Sequence, residues 1–278
     1  MKPGSARLVL IVTVVLLVGL LLAYRLLTVS TAPGWQHAVY LENLPGVSAL
    51  APIGNTLYVT LEHTQYRGAI LAFEEGRRRL VIDSLQKPDG ATVHGDKLIY
   101  TQEWGFYPVY EFDGERHRAL FPTAAAEGVT VMDNGDVYTI EDRPGGRLLK
   151  YSRQDESVTV IEDNLEEGEG VCVMTNGDIY YTEKGQGNVY RLRNGHKTIF
   201  LTDLANPGFL RCRDPDDSIW ITEDRQNFGR LVKADTEGNL EIIATGLSAP
   251  QSVVFLDDGS MLLAEQGRSR ILRLQRQR

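Results

Sequence analysis

Short apolar or alternating runs recur along this chain at near-constant spacing, each closed by a glutamate: TLYVTLE, KLIYTQE, DVYTIE, DIYYTE, SIWITE and SMLLAE. The glutamates are Glu62, Glu103, Glu141, Glu183, Glu223 and Glu265, with steps of 41, 38, 42, 40 and 42 residues. A period near 40 with no helical pattern inside the unit predicts a β-propeller. The stretch from Gly168 to Asp203 shows one unit: GEGVCVM, a turn at Asn176-Gly177, DIYYTE, the loop KGQG, NVYRLRN and HKTIFLTD. Four short runs punctuated by turn residues make a four-stranded blade. The same hairpin signal returns at Asn134-Gly135 and Asp258-Gly259, so the expected fold is all-β, a six-bladed propeller.

The sixth repeat ends at Arg278 after only three runs. Its missing outer strand is expected at the other end of the domain, where Gln36 to Leu44, QHAVYLENL, matches the outer-strand runs RRLVIDSL and NLEIIATGL. A closing N-terminal strand would hide two sheet edges; the alternative is that this run packs as a loop. The expected domains are residues 1–33, a cytoplasmic tip, transmembrane anchor and linker, and residues 34–278, the propeller.

The anchor is read from Leu8 to Tyr24, seventeen residues without a charge, with Lys2 and Arg7 in front. The positive-inside rule then leaves the N-terminus in the cytoplasm and exports the propeller. Retention gives a single-pass inner-membrane protein with a periplasmic domain, and a cleaved signal peptide is the competing reading. The chain carries a formal charge of −8, and Lys2, Arg7 and Arg25 belong to the anchor, leaving about −11 on the exported part, which argues against nucleic acid as a partner. A monomeric propeller is expected. Cys172 and Cys212 both stand eleven residues before a ladder glutamate. Equivalent positions in a rotating array do not face one another, and blades are expected to lie further apart than a disulfide's ~7 Å Cα limit, so two buried free thiols are expected.

A glutamate present in all six repeats is expected to be architectural, accepting backbone N–H groups in the loop that follows. Function is sought where the repeats differ. Fourteen residues before each glutamate, at the start of the innermost strand, stand Ser48, Asp89, Glu127, Glu169, Phe209 and Gln251. Asp89, Glu127 and Glu169 would converge at one channel mouth, where they take up protons or hold a hard divalent cation, calcium by preference; binding only water or loop amides is the alternative. Ser48, Phe209 and Gln251 complete the ring and, with Trp104 and Tyr107 from the same face, are substrate-pocket candidates. His63, the one histidine beside the ladder, is a candidate acid or base, or a solvated loop residue.

The acid-glycine pairs in Pro88-Asp89-Gly90-Ala91, Ala126-Glu127-Gly128-Val129 and Gly168-Glu169-Gly170-Val171 resemble the metal-binding positions of the senescence-marker/gluconolactonase-like family. The repeat NGDIYYTEKGQGNVYRL is also similar to NHL-type propellers and virginiamycin B lyases. The sequence departs from the hydrolase pattern in the first blade, where Pro45-Gly46-Val47-Ser48 replaces a Glu-Gly-Pro segment. The first resemblance implies a six-bladed propeller that holds calcium in its channel and hydrolyses a small lactone or ester. In it the metal polarises the carbonyl and activates water, with a ring carboxylate such as Glu169 as base. The reading of another class is a non-catalytic propeller presenting its face to an envelope protein or ligand.

Overall fold

The inner strand of each blade is short and apolar enough to be buried on both faces: Val47–Ile53, Ala91–His94, Ala126–Val131, Gly168–Val173, Pro207–Arg213 and Pro250–Phe255. In the computed structural model, which describes residues 13 and 28–277, these six strands surround one axis, and each begins an antiparallel sheet running outwards. The outer strands, such as Arg77–Leu85 and Ser157–Leu165, are largely exposed on both faces, which explains their charged and β-branched composition. Between blades lies the apolar core, in which Tyr100, Tyr151, Tyr180 and Tyr181 are fully buried. Stacked pairs such as Phe121 on Tyr151 and Tyr181 on Tyr190 fill the widening space away from the axis.

The ring closes as expected. Strand Trp35–Leu41 pairs antiparallel with Arg270–Arg276, so the sixth blade takes its outer strand from the N-terminal side. Blade 5 gains a fifth strand that the repeat pattern does not reveal, Ser30–Thr31, which pairs with Thr245 and Ala244. The expected anchor at residues 8–24 lies, Thr13 apart, outside the described residues. No helix among the described residues is long and apolar enough to cross a membrane.

Inner strands approach one another closely because of the glycines after the mouth acids. A Cβ on Gly90 would stand 2.0 Å from the carbonyl oxygen of Glu127, one on Gly128 2.4 Å from that of Glu169, and one on Gly170 2.7 Å from that of Gly208. Thr101 and Thr182 stitch the same junctions. Thr101 Oγ1 accepts from the Gly90 amide at 2.9 Å and donates to the Glu127 carbonyl at 2.7 Å. Thr182 Oγ1 does the same between Gly170, at 2.8 Å, and Gly208, at 2.9 Å.

The cysteines correct the expectation of free thiols, because Cys172 and Cys212 form a disulfide between blades 4 and 5, with Cα atoms 5.5 Å apart. Two reasons combine. Blades converge at the axis, so the spacing that separates them outside does not hold between inner strands. The cysteines are also not equivalent positions: Gly168 pairs with Glu183, but it is Pro207 that pairs with Glu223, one residue further back. The position matching Cys172 is therefore Arg211, and Cys212 lies one step beyond it.

Candidate functional site

One backbone hydrogen bond recurs in all six blades and fixes which residues are equivalent. The amides of Glu62, Glu103, Asp142, Lys184, Asp224 and Gln266 donate to the carbonyls of Gly46, Lys87, Ala125, Glu167, Asn206 and Ala249. The six donors form an outer tier at one channel mouth. Two residues beyond each acceptor lies the inner tier: Ser48, Asp89, Glu127, Glu169, Gly208 and Gln251. Five of the six expected ring residues are in place and buried. The sixth is Gly208 and not Phe209, because blade 5 has one more residue between inner strand and glutamate.

The same register divides the glutamate ladder. Glu141, Glu183, Glu223 and Glu265 are architectural, and accept the backbone amides of Ala124, Glu166, Ala205 and Ser248 at 2.9–3.0 Å. These amides lie in the loop entering the blade, not in the loop that follows the glutamate. Basic side chains complete each site: Arg143 and Arg147 on Glu141, Lys197 on Glu183, Arg230 on Glu223, Arg268 and Arg270 on Glu265. Glu62 and Glu103 lie one residue further along, and in an extended segment one step reverses the side chain's direction. In blade 2 the cap is Gln102, whose Oε1 accepts the Gln86 amide at 2.7 Å. Glu103 is thereby free to join Glu62 in the mouth.

Seven carboxyl groups thus meet there, from Glu62, Asp89, Glu103, Glu127, Asp142, Glu169 and Asp224, with two ammonium groups among them. Lys87 Nζ is 3.1 Å from Glu62 Oε1 and 4.0 Å from Asp89 Oδ2, and pairs with Glu103. Lys184 Nζ is 2.7 Å from Glu169 Oε1 and 2.9 Å from Asp224 Oδ2. Ser48 donates its hydroxyl to Asp89. Burial works against the charge on both lysines, but the surrounding carboxylates outweigh it and hold each above the ordinary lysine range.

The carboxyls are driven the other way. Burial, reinforced by the Asp89 charge, pushes Glu62 up to about 7. Burial, followed by the Glu169 charge, pushes Asp142 up to about 6. Burial also raises Asp89, against the opposing pull of Lys87. Glu127 lies well above its ordinary value because it is buried and faces Glu169, Asp89 and Glu103. Its Oε2 is buried and has no hydrogen-bond partner.

Asp89, Glu127 and Glu169 therefore do converge, with a finer division of labour than the sequence indicates. Side-chain oxygens that approach within 4.8 Å of one another in threes belong to Glu62, Asp89 and Glu103, and to Glu103, Glu127 and Asp142. Lys87 occupies the first group. The second includes Glu127, the residue with the unpartnered oxygen. His63 sits one step outside Glu62, its ring against the backbone of Gly46. Trp104 and Tyr107 join Tyr66, Gln86 and Phe106 around a shallow cleft of about 390 Å³ on the same face.

No protein-family model matches this chain, and no curated protein matches it in sequence. Solved structures do match in shape. A gluconolactonase from Xanthomonas campestris superposes with a TM-score of 0.74 at 13% identity, over 89% of this chain and 91% of that one. A luciferin-regenerating enzyme gives 0.71 at 12%, over 87% and 95%. A streptogramin B lyase gives 0.65 at 13%, over 87% and 98%. At such identities the likeness shows the fold: this chain is a six-bladed propeller of the shape shared by gluconolactonase-like proteins and streptogramin lyases.

Proposed function

We propose that the acidic mouth is the active site of a divalent-metal-dependent hydrolase acting on a small lactone or ester. The observation that carries this reading is the buried, partnerless Oε2 of Glu127, a residue whose carboxyl group also clusters with those of Glu103 and Asp142. A buried carboxylate oxygen without a donor is costly unless a proton or a cation meets it. All three donors are hard oxygens, which fit calcium, magnesium or manganese, calcium being the most tolerant of irregular geometry. When bound, such an ion supplies Lewis-acid polarisation of a carbonyl oxygen.

The chain's own groups fit the remaining roles. Lys184 holds Glu169 in an ion pair, which orients its carboxyl group as the candidate general base toward water. Two of the three ammonium donors of Lys184 are directed to Glu169 and Asp224, so the third can face a substrate oxygen. Lys87 holds Asp89, Glu62 and Glu103 in place. The cleft beside Trp104 and Tyr107 offers an apolar wall for the rest of the substrate.

An exported propeller held by an apolar anchor at residues 8–24 also belongs to this reading, and the Cys172–Cys212 disulfide supports an oxidising compartment. A second reading, a non-catalytic face for an envelope protein, is favoured by the exposure of Tyr66, Trp104 and Phe106, the last 87% exposed.

The test is metal analysis of the full-length protein, with thermal melts in added calcium, magnesium and manganese and a panel of lactones and aryl esters. Calcium is expected to raise the melting temperature by mass action on the folded form. Glu127→Gln is expected to blunt that shift and abolish hydrolysis. Absence of both a cation-dependent shift and any hydrolysis would remove the hydrolase reading in favour of the binding one.

A further inference from the structure

The channel holds a second polar feature, on the side away from the acidic mouth. Arg211 lies three residues along its inner strand from Gly208, roughly 10 Å below the acid ring. The equivalent residues of the other blades are Ala51, Thr92, Thr130, Cys172 and Val254, so a single charge sits in an otherwise neutral tier. Its Nε donates to the Val253 carbonyl at 3.3 Å. Among the described residues no carboxylate forms an ion pair with it, whereas its neighbour Arg213 pairs with Asp216 at 3.0 Å. Burial alone acts on its guanidinium, pushing its pKa down, with no acid to oppose that effect.

Arg211 stands between two hollows. One, of about 590 Å³, is lined by Thr92, Thr130 and Cys212 among others and reaches the turns at Asn134 and Gly177. The other, of about 220 Å³, lies against Leu50, Val254 and Phe255. Two acids border the larger hollow, and neither serves the arginine. Asp136 is engaged by Lys150 at 2.9 Å and by the Arg153 amide at 3.0 Å, and Asp133 is exposed at the rim.

An arginine cannot shed its proton, so a half-buried guanidinium without a counter-charge leaves a persistent demand for an anion. The planar fork matches two oxygens of a carboxylate or phosphate, and the hydroxyls of Thr92 and Thr130 supply further donors on the same tier. The volume lies in the range of small-molecule pockets. We propose that this half of the channel binds a small oxyanion, a carboxylate or phosphate group on a compact molecule, with Arg211 as anchor and Thr92 and Thr130 as supporting donors. The site is separate from the acidic mouth, whose ring of buried side chains lies between them.

The test is calorimetric titration of the full-length protein with inorganic phosphate and with acetate at matched ionic strength. Saturable binding is expected, with phosphate the tighter if the natural ligand is a phosphate ester and acetate the tighter if it is a carboxylate. Arg211→Met is expected to weaken binding by about tenfold or more, the scale of a lost hydrogen bond to a charged group. Arg211→Lys should retain part of the affinity, and Thr130→Val should lose a smaller factor. Should Arg211→Met fail to fold, Thr130→Val and the shift of the Arg211 Nε–Hε resonance in the wild-type titration decide the matter. No saturable binding of either anion, equal binding by folded Arg211→Met, or an unmoved Arg211 resonance overturns the proposal.

Discussion

Replacing Glu62 by Gln tests the division of the glutamate ladder, because two members of one sequence repeat should respond with opposite signs. Glu62 is 85% buried at its side chain and is raised from 4.5 to about 7, chiefly by burial and next by Asp89. At 1.36 kcal/mol per unit this is roughly 3 kcal/mol of folding stability. The sign follows from linkage: a carboxyl raised on folding binds its proton more tightly in the native state. Its contribution is present below about pH 4.5 and is lost as pH rises to about 7. Glu62→Gln removes that loss. At pH 8 the variant should gain up to about 3 kcal/mol, a rise of roughly 6 to 10 °C in melting temperature for a protein of this size. At pH 5 the gain should be under about 1 kcal/mol. Glu265→Gln should do the reverse. Its carboxylate is fully buried, accepts the Ser248 amide at 2.9 Å and pairs with Arg268 and Arg270, so the loss should be about 2 to 4 kcal/mol at either pH. Urea unfolding of both variants at pH 5 and pH 8, without added divalent cation, gives the measurement. If Glu62→Gln destabilises at pH 8 as much as Glu265→Gln does, the two glutamates share one role and the register argument fails.

Two further predictions concern the convergence of the inner strands. Cys212→Ser should lower stability by about 2 to 4 kcal/mol, and a reducing agent should bring the wild type to a similar midpoint, because the closed loop spans 40 residues; an unchanged midpoint would mean that the blades are held without the bond. Gly128→Ala should be severely destabilising or prevent folding, since its methyl would lie 2.4 Å from the Glu169 carbonyl oxygen, and a melting temperature within a few degrees of wild type would show that the strands can part.

The amino-acid sequence was enough to read the number of blades, their four strands and the N-terminal closure of the last. All of these follow from a hydrophobic period and from edges that must be paired, and both are local properties of the chain. It also placed Asp89, Glu127 and Glu169 at one mouth, because acid-glycine pairs opening successive inner strands have only one place to go. What it could not supply was the register inside each blade, where one residue more or less reverses a side chain's direction. That step separates Glu62 and Glu103 from the capping glutamates, puts Gly208 in place of Phe209, and sets Cys172 beside Cys212. The lysines were missed for a related reason. Lys184 directly follows a ladder glutamate and Lys87 precedes Asp89 by two, a visible signal, but only the closed ring shows that both point into the acid cluster. The balance of charge at the mouth is a property of six strands meeting at one axis, and no single repeat contains it.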